Sequence, residues 1–382
     1  MKICKEFKGD RPCKYYWTDK SHNCMDSNSS NYKEYSHRIL LIKLDALGDV
    51  MRSTALVDGI KKKYPDSHLT WLVKDNAKFF LENNIGIDRV MIYNDENARI
   101  LQCEKFDILI NLDKDSKSTS LAMLFKSNDK RGYGLHEDGY PIPLNNAAKY
   151  HYDICLDNYG EKTKNKKSYQ ELIYEIAEIN YEKQKTTLNL DKDTYEIIKK
   201  QFYRENKIKD TDKIVILNTG CGPVYPYKKW TYDGYKNLIK LLSKDKNTKI
   251  ILTGSSDEID RNSKLYNECH YPNLIDTTNK YDLKEFCYLI SLSDVVVTGD
   301  TVGLHIAISL DKNIVSFFGT TPHQEVDLFG LGTKLVREEL DCLNCYSQFV
   351  CPYNGKCMSL IKVNEVYESI KKEVADASLV KI

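Results

Sequence analysis

Hydrophobic positions along the chain fall into short apolar runs separated by stretches of helical spacing. Arg38–Leu44 is a largely apolar run of strand length. Val50, Ala55, Leu56 and Ile60 recur at helical spacing over Ala46–Tyr64, and Pro65 stops that helix. His68–Val73, Arg89–Tyr93 and Asp107–Leu112 read as further strands, with a short helix over Ala77–Asn83. The pattern blurs between 130 and 190, where only Ser168–Ile179 reads as a helix. A second alternating block begins near Asp193. Its strands are Ile214–Leu217, Lys249–Leu252, Asn273–Ile275, Asp294–Val297 and Asn313–Phe318. Its helices are Trp230–Leu242, Ser255–Cys269, Leu283–Ile290 and Val302–Ser309. Apolar strands with no polar alternation belong to parallel sheets covered on both faces.

The fold class is therefore α/β: two Rossmann-like, doubly wound domains in tandem. The expected division is a Cys-bearing extension over 1–36, an N-terminal domain over 37–190 and a C-terminal domain over 191–362. An amphipathic helix over 363–382 closes the chain. In the extension, Cys4, Cys13, Cys24 and the polar run Asp26–Asn31 follow no regular period.

Composition narrows the function classes. The 382 residues hold 56 Lys+Arg against 55 Asp+Glu, a net charge of +1 that gives no footprint for nucleic acid or an anionic membrane. No apolar stretch approaches the ~20 residues of a membrane span, and the first residues carry no apolar signal core. The expected location is cytoplasmic, where the 12 cysteines would be thiols or metal ligands rather than disulfides.

Tandem Rossmann-like domains suit a glycosyltransferase, an epimerase, a periplasmic-type binding protein or a dehydrogenase, so the strand-to-helix turns must decide. After the first strand, Leu47-Gly48-Asp49-Val50 turns tightly into a helix and sets Asp49 in its first turn. That carboxylate is either a helix cap or a group facing the cleft that stays ionised near neutral pH. The loop Gly220–Trp230 ends in Lys228 and Lys229, a diphosphate cradle or two solvated lysines. Gly254-Ser-Ser-Asp-Glu258 puts a carboxylate where Rossmann units often receive a ribose, or simply at a helix start. Asp300-Thr301-Val302-Gly303-Leu304-His305 offers free N–H groups to an anion, and His305, one turn in, is either part of that site or a satisfied core histidine.

Taken in order, these turns and Phe318-Gly319-Thr320-Thr321-Pro322 resemble the heptosyltransferase family (glycosyltransferase family 9, GT-B fold) over about residues 38 to 375. The resemblance implies an acceptor site in the N-terminal domain and a nucleotide-sugar donor in the C-terminal one. It implies transfer of a sugar, typically a heptose, with inversion. It makes Asp49 the catalytic base, Lys228 (in preference to Lys229) the diphosphate lysine and Glu258 the nucleotide-contacting acid, with Gly48 and Gly220 lining the donor side. Asp300, Thr301, Gly303 and, one residue early, His305 match the family's phosphate-holding helix start, with Leu304 between. Lys43 stands where many members have Arg.

An inverting transfer needs one base for the acceptor hydroxyl and positive charge on the departing diphosphate. No Asp-x-Asp clamp is evident near the phosphate loops, so catalysis is expected without a metal or other cofactor. A nucleotide-sugar epimerase or hydrolase of the same fold, or a metal-stapled binding module, are the competing readings.

Asp113, Lys114 and Arg131 are expected on the acceptor side, which suits a glycan, a lipid-linked sugar or a protein side chain, with peripheral membrane association. The cluster Cys342-x2-Cys345-x5-Cys351-x5-Cys357 suits structural zinc, iron or an Fe–S centre. Related autotransporter heptosyltransferases, which resemble this chain, bind iron through cysteines in this region. Cys4, Cys13 and Cys24 form a second set, with His22 as a fourth donor. A final helix crossing back to the N-terminal domain would bring the two sets close.

Overall fold

The computed structural model describes residues 4, 13–19, 21–23, 26, 28–29, 31–32, 34–156, 164–347 and 350–380. Two six-stranded sheets organise it. The first runs β3-β2-β1-β4-β5-β6, with β1 at Arg38–Ile42, β2 at His68–Val73, β3 at Arg89–Ile92, β4 at Lys105–Asn111, β5 at Lys126–Leu135 and β6 at Pro141–Pro143. All pairings are parallel except β5 with β6. The second runs β12-β11-β10-β7-β8-β9, all parallel, with β7 at Lys213–Asn218, β8 at Thr248–Thr253, β9 at Leu274–Asp276, β10 at Val295–Gly299, β11 at Asn313–Phe317 and β12 at Gly332–Leu335. This is the expected pair of doubly wound domains.

Each sheet reverses its winding once, between β1 and β4 and between β7 and β10. Ligands of open α/β sheets sit outside the carboxyl ends of the strands at such points. The loops after β1, β7 and β10 are the ones that carry Asp49, Gly220 and Asp300.

The helix expected over Ala46–Tyr64 is two: α1 at Leu47–Ser53 and α2 at Ala55–Lys63. Thr54 breaks it, donating its hydroxyl to Met51 O at 2.8 Å, a local bond that competes with the helical ladder. The blurred region holds β5, β6, α3 at Asn146–Leu156 and α4 at Tyr169–Ile176.

The helix starting at Val302, α5 (Val302–Ser309), follows β10 and packs against α1 from the other domain. The last helix, α6 (Val363–Val380), corrects the expectation that it crosses back. Val366 and Ile370 are buried with Trp230, Tyr235, Val315 and Phe317 of the second domain. Asn313 Nδ2 donates to Glu373 O at 2.8 Å and Thr333 Oγ1 to Glu373 Oε1 at 2.9 Å. Its apolar stripe therefore covers the sheet it follows in sequence. No helix among the described residues is long and apolar enough to cross a membrane.

Candidate active site

A cleft of about 610 Å³ lies between the domains. Asp45, Ala46, Leu47 and Gly48 line one wall, and the loops after β7, β8 and β10 line the other, including Gly220, Glu258 and Thr301. Tyr281, Leu283, Phe286 and Leu289 give it an apolar end. Its size suits one small ligand with a polar and an apolar half.

α1 and α5 meet so closely that a Cβ on Gly48 would stand 2.9 Å from His305 Cδ2. Only glycine allows this approach. Asp49, the next residue, thereby faces the first turn of α5. Its Oδ1 accepts from Arg52 Nη2 at 2.5 Å, one turn along, and its Oδ2 lies 3.7 Å from Lys43 Nζ. Arg52 itself rests on the face of Tyr169, 3.9 Å from the ring centre. Burial alone would raise the Asp49 pKa, but Arg52, Lys43 and then His305 outweigh it and hold the carboxyl well below the ordinary range. Its side chain remains 35% exposed.

Across the cleft, Lys228 Nζ contacts Asp300 Oδ2 at 2.8 Å and Asp300 O at 3.2 Å. Thr321 Oγ1 donates to the same Oδ2 at 2.7 Å, and His305 Nε2 is 3.5 Å from Oδ1. Burial would raise the Asp300 pKa; Lys228, His305 and Arg52 drive it well below the ordinary value instead. Burial lowers the His305 pKa against the raising effect of Asp300. Thr301, the N-cap of α5, makes no side-chain bond to the helix start and instead receives Asn218 Nδ2 at 3.0 Å. A side chain on Gly303 would come within 2.7 Å of that amide. Leu304 is fully buried in the core rather than in the cleft.

Glu258 is 1% exposed and already engaged. Ser255 donates to its Oε2 from N at 3.0 Å and Oγ at 2.7 Å, and Lys229 Nζ lies 2.7 Å from Oε1. Burial would raise its pKa, but Lys229 and Ser255 lower it. Gly220 is forced by the same carboxylate, since a Cβ there would lie 2.6 Å from Glu258 Oε2. The two adjacent lysines thus divide their partners, Lys228 to Asp300 and Lys229 to Glu258.

The acceptor-side expectations fare differently. Asp113 is 7% exposed; it accepts from Leu44 N at 2.5 Å and pairs with Lys43 Nζ. Arg131 is 6% exposed, held by Asp129 Oδ2 at 2.5 Å and by Ala177 O. Both are nearly buried and paired with groups of the first domain. Lys114 is half-buried, with its ammonium 4.7 Å from the Tyr133 ring centre, and burial lowers its pKa. Arg52 and Thr321 are site residues that the sequence reading misses. Arg52 is legible as the residue three after Asp49 on one helix face; the Thr321 bond depends on a contact 21 residues away.

The eleven described cysteines are free thiols, and Cys24 lies outside the described residues. Burial pushes the Cys357 thiol up to about 11, with Cys345, Cys342 and Cys351 adding to it. Cys351 Sγ accepts from Gly355 N at 3.2 Å. Among the described residues no three His, Cys, Asp or Glu side chains are gathered to hold a metal ion. The arrangement of the four C-terminal thiols does not fit one.

Two Rossmann-like domains that close a nucleotide-sized cleft, with an ionised carboxylate on one lip and a lysine beside a helix start on the other, define a GT-B glycosyltransferase. The chain belongs to glycosyltransferase family 9 (heptosyltransferase), whose model matches residues 97–352, about two thirds of its length. It is 22% identical over 319 residues to the lipopolysaccharide core heptosyltransferase OpsX of Haemophilus influenzae, covering 78% of this chain and 84% of that one. Among solved structures, a glycosyl transferase family 9 member from Veillonella parvula superposes with a TM-score of 0.70 at 17% identity, covering 90% and 98% of the two chains. TibC, an iron-containing dodecameric heptosyltransferase of enterotoxigenic E. coli solved with ADP-D-β-D-heptose, superposes with a TM-score of 0.57 at 10% identity, covering 91% and 79%.

Proposed function

We propose that this chain transfers a heptose from ADP-heptose to a hydroxyl of a lipopolysaccharide core, with inversion at the anomeric carbon. The observation that carries this reading is the contact of Gly48 with His305, which sets the Asp49 carboxylate opposite the Lys228–Asp300 pair. The apolar end of the cleft suits a nucleobase, and the turn beside Glu258 suits a ribose.

In this mechanism the glycosidic C–O bond breaks as negative charge collects on the leaving diphosphate. Lys228, held in place by Asp300, and the first N–H groups of α5 stabilise that charge. The acceptor oxygen attacks from the opposite face, and Asp49 takes its proton. A carboxylate of low pKa serves, because the attacking hydroxyl becomes strongly acidic only as its new bond forms. Lys228 and the helix start supply the charge a divalent ion would bring, so the transfer proceeds without one. The C-terminal cysteines have no part in these steps. The lipid-linked acceptor brings the enzyme to a membrane surface.

The test is ADP release from ADP-heptose in the presence of a lipopolysaccharide acceptor lacking its heptose, with and without a chelator. Asp49→Asn should lower kcat by about 10²–10⁴ with little change in donor binding. Lys228→Ala should weaken ADP-heptose binding as well. Full turnover by Asp49→Asn would overturn the assignment of the base. Conversion of the donor with no acceptor present would favour an epimerase or hydrolase.

A further inference from the structure

We infer that Tyr346, in the cysteine-rich stretch after β12, is a positioning residue that holds Lys228 ready for the leaving diphosphate. This role rests on the proposed reading of Lys228 as the diphosphate lysine. A lysine stem is flexible, and its ammonium serves a transition state best when it is already in place. Asp300 fixes Lys228 from one side, at 2.8 Å. From another side the ammonium stands over the ring of Tyr225, 4.9 Å from its centre. A ring face attracts a cation without neutralising it, so this contact orients the lysine and leaves its charge for the phosphates.

Tyr225 directly precedes the short turn Pro226–Lys228. Its ring meets that of Tyr346 in an edge-to-face arrangement, with centroids 6.4 Å apart and planes at 66°. Tyr346 is in turn tied to the segment after β11. Its N donates to Thr320 O at 2.8 Å, and Asn344 N donates to Gly319 O at 2.8 Å. Its hydroxyl donates to Glu325 Oε1 at 3.2 Å. Thr321, next to Thr320 in the chain, donates to Asp300 Oδ2 at 2.7 Å. The contacts therefore close on themselves, from Asp300 through Lys228, Tyr225, Tyr346, Thr320 and Thr321 back to Asp300.

Tyr346 adopts a φ of +50° and Asn344 one of +62°. A bulky side chain is rare in that left-handed region, and such backbone persists where its surroundings fix it. Further along the same stretch, two tight contacts reach the same two segments. A Cβ on Gly319 would lie 2.5 Å from Cys357 Sγ, and one on Gly355 would lie 3.7 Å from Tyr227 Cδ1. The cysteine-rich stretch thus buttresses the residues before Lys228 and those before Thr321 together, and Tyr346 is the link between them.

The experiment measures ADP affinity by titration calorimetry on the full chain. The variants are Tyr346→Ala, Tyr346→Phe, Lys228→Ala and the double change Tyr346→Ala with Lys228→Ala. Tyr346→Ala should weaken ADP binding about fivefold, because the lysine loses its support. Tyr346→Phe keeps the ring and the backbone bond and should restore the affinity. In the Lys228→Ala background, Tyr346→Ala should cost nothing more, because both changes remove the same interaction. A residue that merely lends stability would give the same loss with or without Lys228, so an additive loss would overturn the role. So would Tyr346→Phe behaving like Tyr346→Ala. Normal ADP binding by Tyr346→Ala beside weak binding by Lys228→Ala would overturn the role and leave the reading of Lys228 standing. Normal binding by Lys228→Ala itself would remove both. If Tyr346→Ala does not fold, Tyr225→Leu, alone and combined with Lys228→Ala, decides by the same comparison.

Discussion

Replacing Arg52 by Gln tests the electrostatic design of the base. Arg52 Nη2 stands 2.5 Å from Asp49 Oδ1, while the second cation, Lys43, is 3.7 Å from Oδ2 and is shared with Asp113. An adjacent cation lowers a carboxyl pKa by about 1–3 units, each unit being about 1.4 kcal/mol of differential interaction. Arg52 is the nearer of the two and ranks ahead of Lys43 among the charges acting on Asp49. Its loss should move Asp49 up by roughly one unit or more, with Lys43 retaining the remainder. On the proposed reading Asp49 acts only when ionised, so activity is lost as pH falls through its pKa. The acid limb of kcat/KM should therefore lie below the usual carboxylate range in the unaltered enzyme and shift upward in Arg52→Gln. On that limb, one unit is a tenfold loss; near neutral pH both enzymes have the base ionised. The assay is coupled ADP release across pH, with circular dichroism to exclude unfolding. An unmoved acid limb in Arg52→Gln, with a fold that is intact, would show that Arg52 does not set the charge state of the base.

Gly48→Ala should lower stability by about 1–3 kcal/mol through overpacking against the buried His305 ring, read as a lower Tm, and kcat should fall with it. Lys229→Met leaves the Glu258 carboxylate buried beside Ser255 alone and should destabilise the second domain by about 3–5 kcal/mol, measured by urea unfolding. Asp113→Asn should cost stability as well as activity, since it frees Lys43 and the Leu44 amide; an activity loss with unchanged Tm would return Asp113 to the acceptor site. Because the Asp300 pKa is depressed in the fold, its contribution to stability is full above the ordinary carboxylate pKa and declines as pH falls below it. Asp300→Asn should flatten that acid dependence of Tm.

The runs that form β1, β7, β8 and β10 are legible because their residues are buried on both faces, so hydrophobicity alone marks them. β5 is not, because Lys126–Lys130 is polar and its burial begins only at Arg131, near the sheet's antiparallel edge. Asp49 and Asp300 are legible as helix-start carboxylates following strands. Their partners are less so: nothing in Lys228-Lys229 says which lysine meets Asp300, a contact 72 residues away. Asp113 and Arg131 show the limit from the other side. Charge is visible in a sequence, but whether a charged group points to a ligand or to an internal partner depends on neighbours supplied by the fold. The last helix misleads for a related reason: an amphipathic stripe declares that something covers it, and not which domain does.

The touching of α1 and α5 also makes the catalytic centre a property of two bodies at once. On the proposed reading, a donor bound to the second domain alone would have its leaving group cradled but no base within reach. Parting the domains by even the width of a water molecule separates the carboxylate from the phosphate anchor and lets solvent stand between them. On the proposed reading, the close approach at Gly48 works as an interlock: the carboxylate of one domain and the phosphate anchor of the other are held together only while the two helices touch.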